Sequence, residues 1–450
     1  MNKTQLKTGV MMALLFIGFA SKAQTRMAPQ TDAFTVQQAI DYAYGHSASI
    51  KNALLEEAIT TDKVNEFRGA SLPQVKLNGD MKYFMVVPTS VVPNFFNPAG
   101  GLMALKFGTT YNTSAGASAS WLIADASYLL ALQAQKELGS LMQYSTTRSK
   151  TDVAEQVSKA YFTVLISEKK MELLNANITR INKILNETRA ANQQGLVEKL
   201  DVDRIQIAYV NLVTEQTKVV ELLELARGAL KFQMGYNVLG KITLTDSLSD
   251  QQLTSLNLMN ESFDPNKRVE LKLLDKQIQL TQMQLKARSL AWIPNIAAYS
   301  SVSAARPSND FDAFDRVKYY PTALVGLTIN ATLFDGMQNH YKMDQIRLQI
   351  QQAKNTREQA ENGLQLEALN ARTTLSNALL SVQSQKSNLV MAEDVARVTK
   401  IKYQQGVGSS LEVMNAETSL KEAQTNYLSA LYDAYMAGVT YKKAMGSLIP

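Results

Sequence analysis

The sequence predicts a mainly α-helical chain, built on an internal duplication, that also carries strands of a transmembrane β-barrel. Three observations predict it. The segment QQGLVEKLDV at 193–202 returns as QQGVGSSLEV at 404–413, displaced by 211 residues without a gap, and a displacement this long marks two copies of one structural half. Two long stretches, between Pro98 and Pro265 and between Pro321 and Pro450, contain no proline and are rich in Ala, Leu, Gln, Lys and Glu, a composition that supports long unbroken helices. Four segments outside those helices alternate apolar and polar residues with period two, as strands do when one face meets lipid.

The elements follow in order along the chain. Lys3 and Lys7 precede the apolar run VMMALLFIGFA at 10–20 and the small-x-small triplet Ser21, Lys22, Ala23. This predicts a secretory signal over 1–23, too short for a membrane anchor; a buried N-terminal helix is the other reading of the same run. An N-terminal segment with a first long helix occupies 24–72, and the first strand pair 73–122. In the first strand Val75, Leu77, Met81, Tyr83 and Met85 share one face, while Lys76, Asn78, Asp80 and Lys82 share the other. The second sets Phe107, Thr109, Tyr111, Thr113, Ala115, Ala117, Ala119 and Trp121 against Gly108, Thr110, Asn112, Ser114, Gly116, Ser118 and Ser120. The proline-bearing stretch 86–106 between them predicts an outer loop, with Phe95 and Phe96 available to plug against a neighbouring chain.

A helical hairpin is predicted over 123–234. Val153, Val157, Ala160, Val164, Ser167, Met171, Leu174, Ile178, Ile181, Leu185, Thr188 and Asn192 alternate spacings of four and three, a sustained heptad seam that resumes from Val202 to Leu230. The linker 235–265 breaks the heptads and predicts a short strand and helix linking the halves, followed by a helix at 266–292. The second strand pair, 293–334, places Ile296, Ala298 and Val302, then Ala323, Val325, Leu327 and Ile329, on apolar faces. The second hairpin spans 335–446 and repeats the seam from Leu364 to Tyr403 and from Val413 to Tyr441, each position 211 residues on, with a tail at 447–450. The second seam is richer in alanine, which implies close helix approach. An ordinary soluble coiled coil would show the same seam; the alternating segments between the helices argue against it. Asp125 and Asp335, just after the second and fourth strands, read as helix N-caps.

Trp121 and Trp292, where strand meets helix, suit the inner rim of a barrel at the membrane interface; covering a small apolar cluster is the alternative. Four strands cannot close a membrane barrel, which needs eight or more. Closure therefore requires several chains: three give twelve strands, two give eight with little room for a lumen.

Composition narrows the function. The chain has no cysteine, hence no disulfide, no thiolate metal site and no lipidated N-terminal cysteine. The formal charge is +6, of which Lys3, Lys7 and Lys22 contribute three; so small and dispersed an excess does not indicate a nucleic-acid partner. The two histidines, His46 and His340, have no metal-ligand spacing partners, and no phosphate loop or nucleophile elbow is present. Neither an enzyme nor a bound cofactor is expected. The acidic cluster Asp310, Asp312 and Asp315 is interleaved with Arg306, Arg316 and Lys318 and lacks the spacing of a calcium loop, so no metal is expected there.

Signal sequence, paired strand segments, paired long hairpins and the GLVEKLDV and GVGSSLEV turns together resemble the TolC family of outer-membrane efflux proteins, from about residue 34 to about residue 446. The resemblance implies a homotrimer with one twelve-stranded barrel in outer-membrane lipid, continued by a long periplasmic helical tunnel. It also implies a periplasmic adaptor (membrane fusion) protein and an inner-membrane RND or ABC transporter as partners, with the trimer as exit duct for efflux or type I secretion. A periplasmic coiled-coil scaffold without channel activity is the alternative.

Family members close the tunnel with polar and acidic residues near the hairpin turns. Carried onto this chain, the resemblance points to Asp201, Tyr403, Glu412 and Asn415, with Asp201 and Tyr403 as the candidate gating contact. Gly408 stands where an arginine of the closing network occurs, and Asn415 where a second aspartate occurs, which weakens the lock. Asp201 and Glu412 also suit helix starts for the sake of the helix dipole alone. The turns at 193–200 and 404–411, with Gly195, Leu196, Gly406 and Val407 at their tips, are the candidate adaptor-docking sites, since a glycine-bearing turn lets a partner helix approach; any tight helix reversal needs the same glycine.

Overall fold

The computed structural model describes residues 32–96, 101–248, 262–311 and 318–448. The expected signal sequence, residues 249–261 of the linker in which a short helix is expected, and Asp312, Asp315 and Arg316 of the acidic loop lie outside the described residues.

The chain opens with β1 (Asp32–Phe34), α1 (Val36–His46) and α2 (Ala48–Gly69). Helix α1 starts with a capping box: Thr35 Oγ1 accepts from the Gln38 amide at 3.2 Å, and Gln38 Oε1 accepts from the Thr35 amide at 2.9 Å. Ser47 lies between α1 and α2 with non-helical ψ of 130°, so the N-terminal segment carries a short helix of its own ahead of the longer α2. Strands β2 (Gln74–Tyr83), β3 (Thr89–Pro93), β4 (Leu102–Lys106) and β5 (Tyr111–Ala124) follow, then the first hairpin, α3 (Ala126–Gln193) and α4 (Lys199–Met234). Beyond it come β6 (Ile242–Leu244), a 3-10 turn (Pro265–Lys267), α5 (Val269–Ser289), β7 (Asn295–Ser308) and β8 (Tyr320–Asn330). The second hairpin, α6 (Gln338–Gln404) and α7 (Ser410–Ala444), completes the chain.

The hairpins match in length, with 68 and 36 residues in the first and 67 and 35 in the second. At 1.5 Å per residue the longer arms reach about 100 Å. Gly235, in the left-handed region at φ 69°, terminates α4, and a Cβ there would meet the His46 carbonyl oxygen at 2.6 Å; backbone conformation and close approach both select glycine.

The heptad seams form the core. Val153, Val157, Val164, Leu174, Ile181 and Leu185 of α3 are buried, as are Ile205, Leu212, Val219, Leu223 and Leu230 of α4. In the second hairpin Ala368, Ala371 and Ala378 of α6 share one cluster with Ala430, Ala434 and Ala437 of α7, the close helix approach that small seam residues imply. At the waist, β1 pairs in parallel with β6, and Tyr161 on α3, fully buried, donates to the Phe34 carbonyl at 2.9 Å. Arg268, also buried, ties the waist to the end of the second hairpin by donating to the Ala444 carbonyl at 2.6 Å and to Glu270.

Strands β2, β5, β7 and β8 form one antiparallel sheet in the order β2-β5-β7-β8. Its register carries the period-two pattern across all four strands: Lys76, Ser118, Ser301 and Leu324 align on one face, and Val75, Ala119, Ser300 and Val325 on the other. A bulge at Leu122/Ala124 ends the β5–β7 ladder where the chain turns into α3. Gly116 faces Ser303, whose Cβ would lie 2.6 Å from an added Cβ, and the Tyr299 ring occupies the space a side chain at Gly326 would need. Among the described residues the outer edges of β2 and β8 have no strand partner. None of the described helices is long and apolar enough to cross a membrane.

Two expectations change. The expected outer loop at 86–106 contains the antiparallel β3–β4 ladder, from Thr89↔Lys106 to Pro93↔Leu102; Pro88 precedes β3 and Pro93 ends it, so neither excludes the strand. Asp125 caps α3, accepting from the Tyr128 amide at 3.0 Å. Asp335, however, is not the residue that precedes α6: Met337 is, at φ 65°. The Asp335 carboxylate still reaches the helix start, accepting from the Asn339 amide at 2.7 Å.

Candidate functional site at the hairpin tips

Both hairpins reverse through the same construction. Gly195 and Gly406 adopt φ 75°, a left-handed conformation that closes a helix end cheaply only for glycine. The next amide in each case bonds back over the last helical turn, Leu196 to the Ala191 carbonyl at 2.9 Å and Val407 to the Lys402 carbonyl at 3.1 Å. In the first tip Asn192 Nδ2 also donates to the Val197 carbonyl at 2.7 Å. In the second, Ser409 caps α7, its hydroxyl accepting from the Glu412 amide at 3.2 Å. Backbone needs are thus met internally, and Leu196 and Val407 project into solvent, 73% and 75% exposed.

Above the tips a polar ladder joins the hairpins. The Ser410 hydroxyl donates to the Asp201 carboxylate, which also receives Arg204 at 3.5 Å. The Tyr403 hydroxyl meets the Thr188 hydroxyl at 3.2 Å, and Gln404 donates to Glu187 at 3.3 Å. Further up, Arg180 Nε donates to Glu417 at 2.7 Å and Asn177 Nδ2 to Gln424 at 2.7 Å, while Arg180 Nη2 donates to Asn177 at 2.6 Å. Glu417 is only 6% exposed. Lys421 pairs with Glu215 at 2.6 Å, with Lys170 at 3.7 Å on the same carboxylate. The hydrogen bond from Lys421 is the main cause that holds the Glu215 carboxyl below the usual range, against a smaller opposing effect of burial. Asn177, Arg180, Glu417 and Lys421 border a cavity of about 160 Å³ between α3, α4 and α7.

Asp201 and Tyr403, expected to form one contact, are not paired in the chain. Tyr403 lies on the seam and packs against the Leu174–Ile184–Leu185 cluster, which brings its hydroxyl to Thr188; Asp201 opens α4 and faces the start of α7. Each therefore takes a different partner across the same boundary. Glu412 and Asn415 are exposed, and among the described residues neither side chain makes an ion pair or a hydrogen bond. A Cβ on Gly408 would lie 3.2 Å from the Tyr403 amide nitrogen and 3.4 Å from Glu412 Oε2, so the position is tight as well as lacking a charge. Sequence reading missed Thr188 as a bonding partner, along with Ser410, Arg180, Glu417, Asn177 and Gln424. The available signal was a polar residue, Thr188, interrupting an apolar seam; Arg180 and Glu417 lie off their hairpins' own seams, on the stripes that meet each other.

At the far end, Trp121 in β5 and Trp292 in the turn before β7 are 48% and 68% exposed at the junction of sheet and helices. Among the described residues no group of three or more His, Cys, Asp or Glu side chains could hold a metal ion.

The family model for outer membrane efflux proteins matches residues 39–235 and 266–447, both halves of the chain on either side of the linker. The chain belongs to the outer membrane efflux protein family. Members of this family are transport channels of the outer membrane with a helical tunnel fold. Outer membrane protein TolC of Salmonella enteritidis is 20% identical over 447 residues, covering 98% of this chain and 86% of that protein. Cobalt-zinc-cadmium resistance protein CzcC of Cupriavidus metallidurans is 21% identical over 325 residues, covering 70% of this chain and 72% of its own. The fold is that of the outer membrane protein VceC of Vibrio cholerae, with a TM-score of 0.68 at 14% identity over 91% of this chain and 96% of that one. Efflux-channel relatives fit the absence of enzyme motifs from the sequence.

Proposed function

We propose that three copies of this chain form a trimeric outer-membrane channel, the exit duct of a tripartite efflux or type I secretion system. The observation that carries this reading is a four-stranded sheet with both edges unpartnered among the described residues, one apolar and one polar face, joined to helical hairpins about 100 Å long. Four strands are too few to close alone. Pairing of β8 of one copy with β2 of the next, repeated three times, satisfies both edges and gives twelve strands in outer-membrane lipid, with the hairpins continuing as a tunnel through the periplasm.

In this reading the tips are the periplasmic mouth. Leu196 and Val407, exposed on tight turns, are what a periplasmic adaptor would grip, and the adaptor would link the mouth to an inner-membrane RND or ABC transporter. The ladder above holds the mouth narrow: opening requires the second hairpin to move against the first, which breaks Asp201–Ser410 and Thr188–Tyr403. Glu412 and Asn415, exposed one to two turns into α7, are available to line the aperture. Cargo is selected by the transporter rather than by the duct.

Reconstitution into planar bilayers tests the proposal. A channel gives stepwise single-channel conductance; a periplasmic coiled-coil scaffold gives none at any protein concentration.

A further inference from the structure

The polar face of the barrel sheet carries an unbalanced charge. Lys76, Asp80 and Lys82 share that face of β2, all exposed. The register places uncharged residues of β5, β7 and β8 on it, such as Ser118, Ser301 and Thr322. Arg306 of β7 belongs to the opposite face, across from Thr113. Each chain thus contributes two ammonium groups and one carboxylate, and among the described residues none of the three makes an ion pair.

Spacing along the strand makes the excess felt. At about 3.4 Å per residue Lys82 stands about 7 Å from Asp80 and Lys76 about 14 Å from it, so Asp80 offsets Lys82 and leaves Lys76 beyond the screening length of about 10 Å in 0.1 M salt. Closure would not neutralise the excess either. The strand that would lie beside β2 is β8 of the next copy, and β8, YPTALVGLTIN, has no charged residue on either face. With the apolar face toward lipid, the polar face lines the lumen.

We infer that Lys76 and Lys82 bias passage through the barrel toward anionic solutes over cationic ones of the same size. This rests on the channel reading above. Charged linings of one sign concentrate counter-ions at the wall and raise their flux, and a threefold arrangement repeats the excess at one height around the lumen.

The test is the reversal potential of the full-length protein in planar bilayers under a gradient of dilute KCl. The wild type is compared with Lys76→Gln/Lys82→Gln and with Asp80→Asn. The tunnel and its tips are unchanged in all three, so differences report the barrel alone. The expected result is a shift toward the potassium potential in the lysine variant and toward the chloride potential in Asp80→Asn. Both shifts should shrink in 1 M salt, where screening acts within about 3 Å. Conducting channels whose reversal potential is the same in all three proteins would overturn the inference and leave the channel reading intact. A wild type that does not conduct would overturn the channel reading itself, and the inference with it.

Discussion

At the scale of single residues, Glu417 is the most telling group in the chain. Its carboxylate is almost fully buried between two hairpins and meets Arg180 at 2.7 Å. Removing it leaves a partly buried guanidinium without its charged partner, with Asn177 alone still accepting from it, so Glu417→Ala is expected to lower stability by about 2–3 kcal/mol, read as a lower melting temperature. The links nearer the tips are smaller, about 1 kcal/mol each, and in the proposed channel they are the ones that opening would break. Asp201→Ala combined with Tyr403→Phe severs both and is expected to raise single-channel conductance; unchanged conductance in the double variant would sink the gate assignment.

Acid sensitivity belongs to the same scale. Burial pushes the Glu155 carboxyl up, but hydrogen bonds from Lys159 and Lys443 outweigh it and leave it lower than usual, as Lys421 does for Glu215. A carboxyl whose folded pKa is depressed contributes stability that is fully present above its unfolded pKa and lost as pH falls through the folded one. The chain should therefore lose stability below about pH 4.5, near the ordinary glutamate value. Glu155→Gln/Glu215→Gln should flatten the acid limb of a melting-temperature profile; an unaltered slope would contradict this. Asp125 was readable as a cap because a cap is local. The partners of Asp201 and Tyr403 were not, because they depend on how one hairpin lies against another more than two hundred residues away.

At the scale of elements, the tips and the sheet make separate predictions. Crosslinkers placed at Leu196 and Val407 should capture the adaptor, whereas the same groups placed at Trp121 should not; equal capture from both ends would contradict docking at the tips. Gly116→Val should open the β5–β7 ladder, since even a Cβ there sits 2.6 Å from that of Ser303. Loss of assembled barrel in that variant, with helix content retained by circular dichroism, is the expected result. Long helices and alternating strands were legible because each repeats one local rule many times: the seam residues of α3 and α4 are those the heptads name. Strand β1, three residues long, offers no period to read. The β3–β4 ladder was hidden by Pro88 and Pro93, and the α1–α2 break at Ser47 by an otherwise helical composition.

At the scale of the whole molecule, the open question for the sheet is closure. One chain presents two unpartnered edges among its described residues, β2 and β8, and an apolar face on which Leu77 is 85% and Val325 86% exposed. Edges and faces of that kind are satisfied together only by lipid and further copies. Four strands per chain are too few for a membrane barrel, and the number of copies was left to resemblance, because copy number depends on the angle between neighbouring chains rather than on any residue pattern. The most direct test is electrophoresis of the outer-membrane fraction with and without boiling. A closed trimer gives an unboiled band of about three chain masses that collapses to one on heating. A protein found soluble in the periplasm, running as a single chain in both lanes, would contradict it.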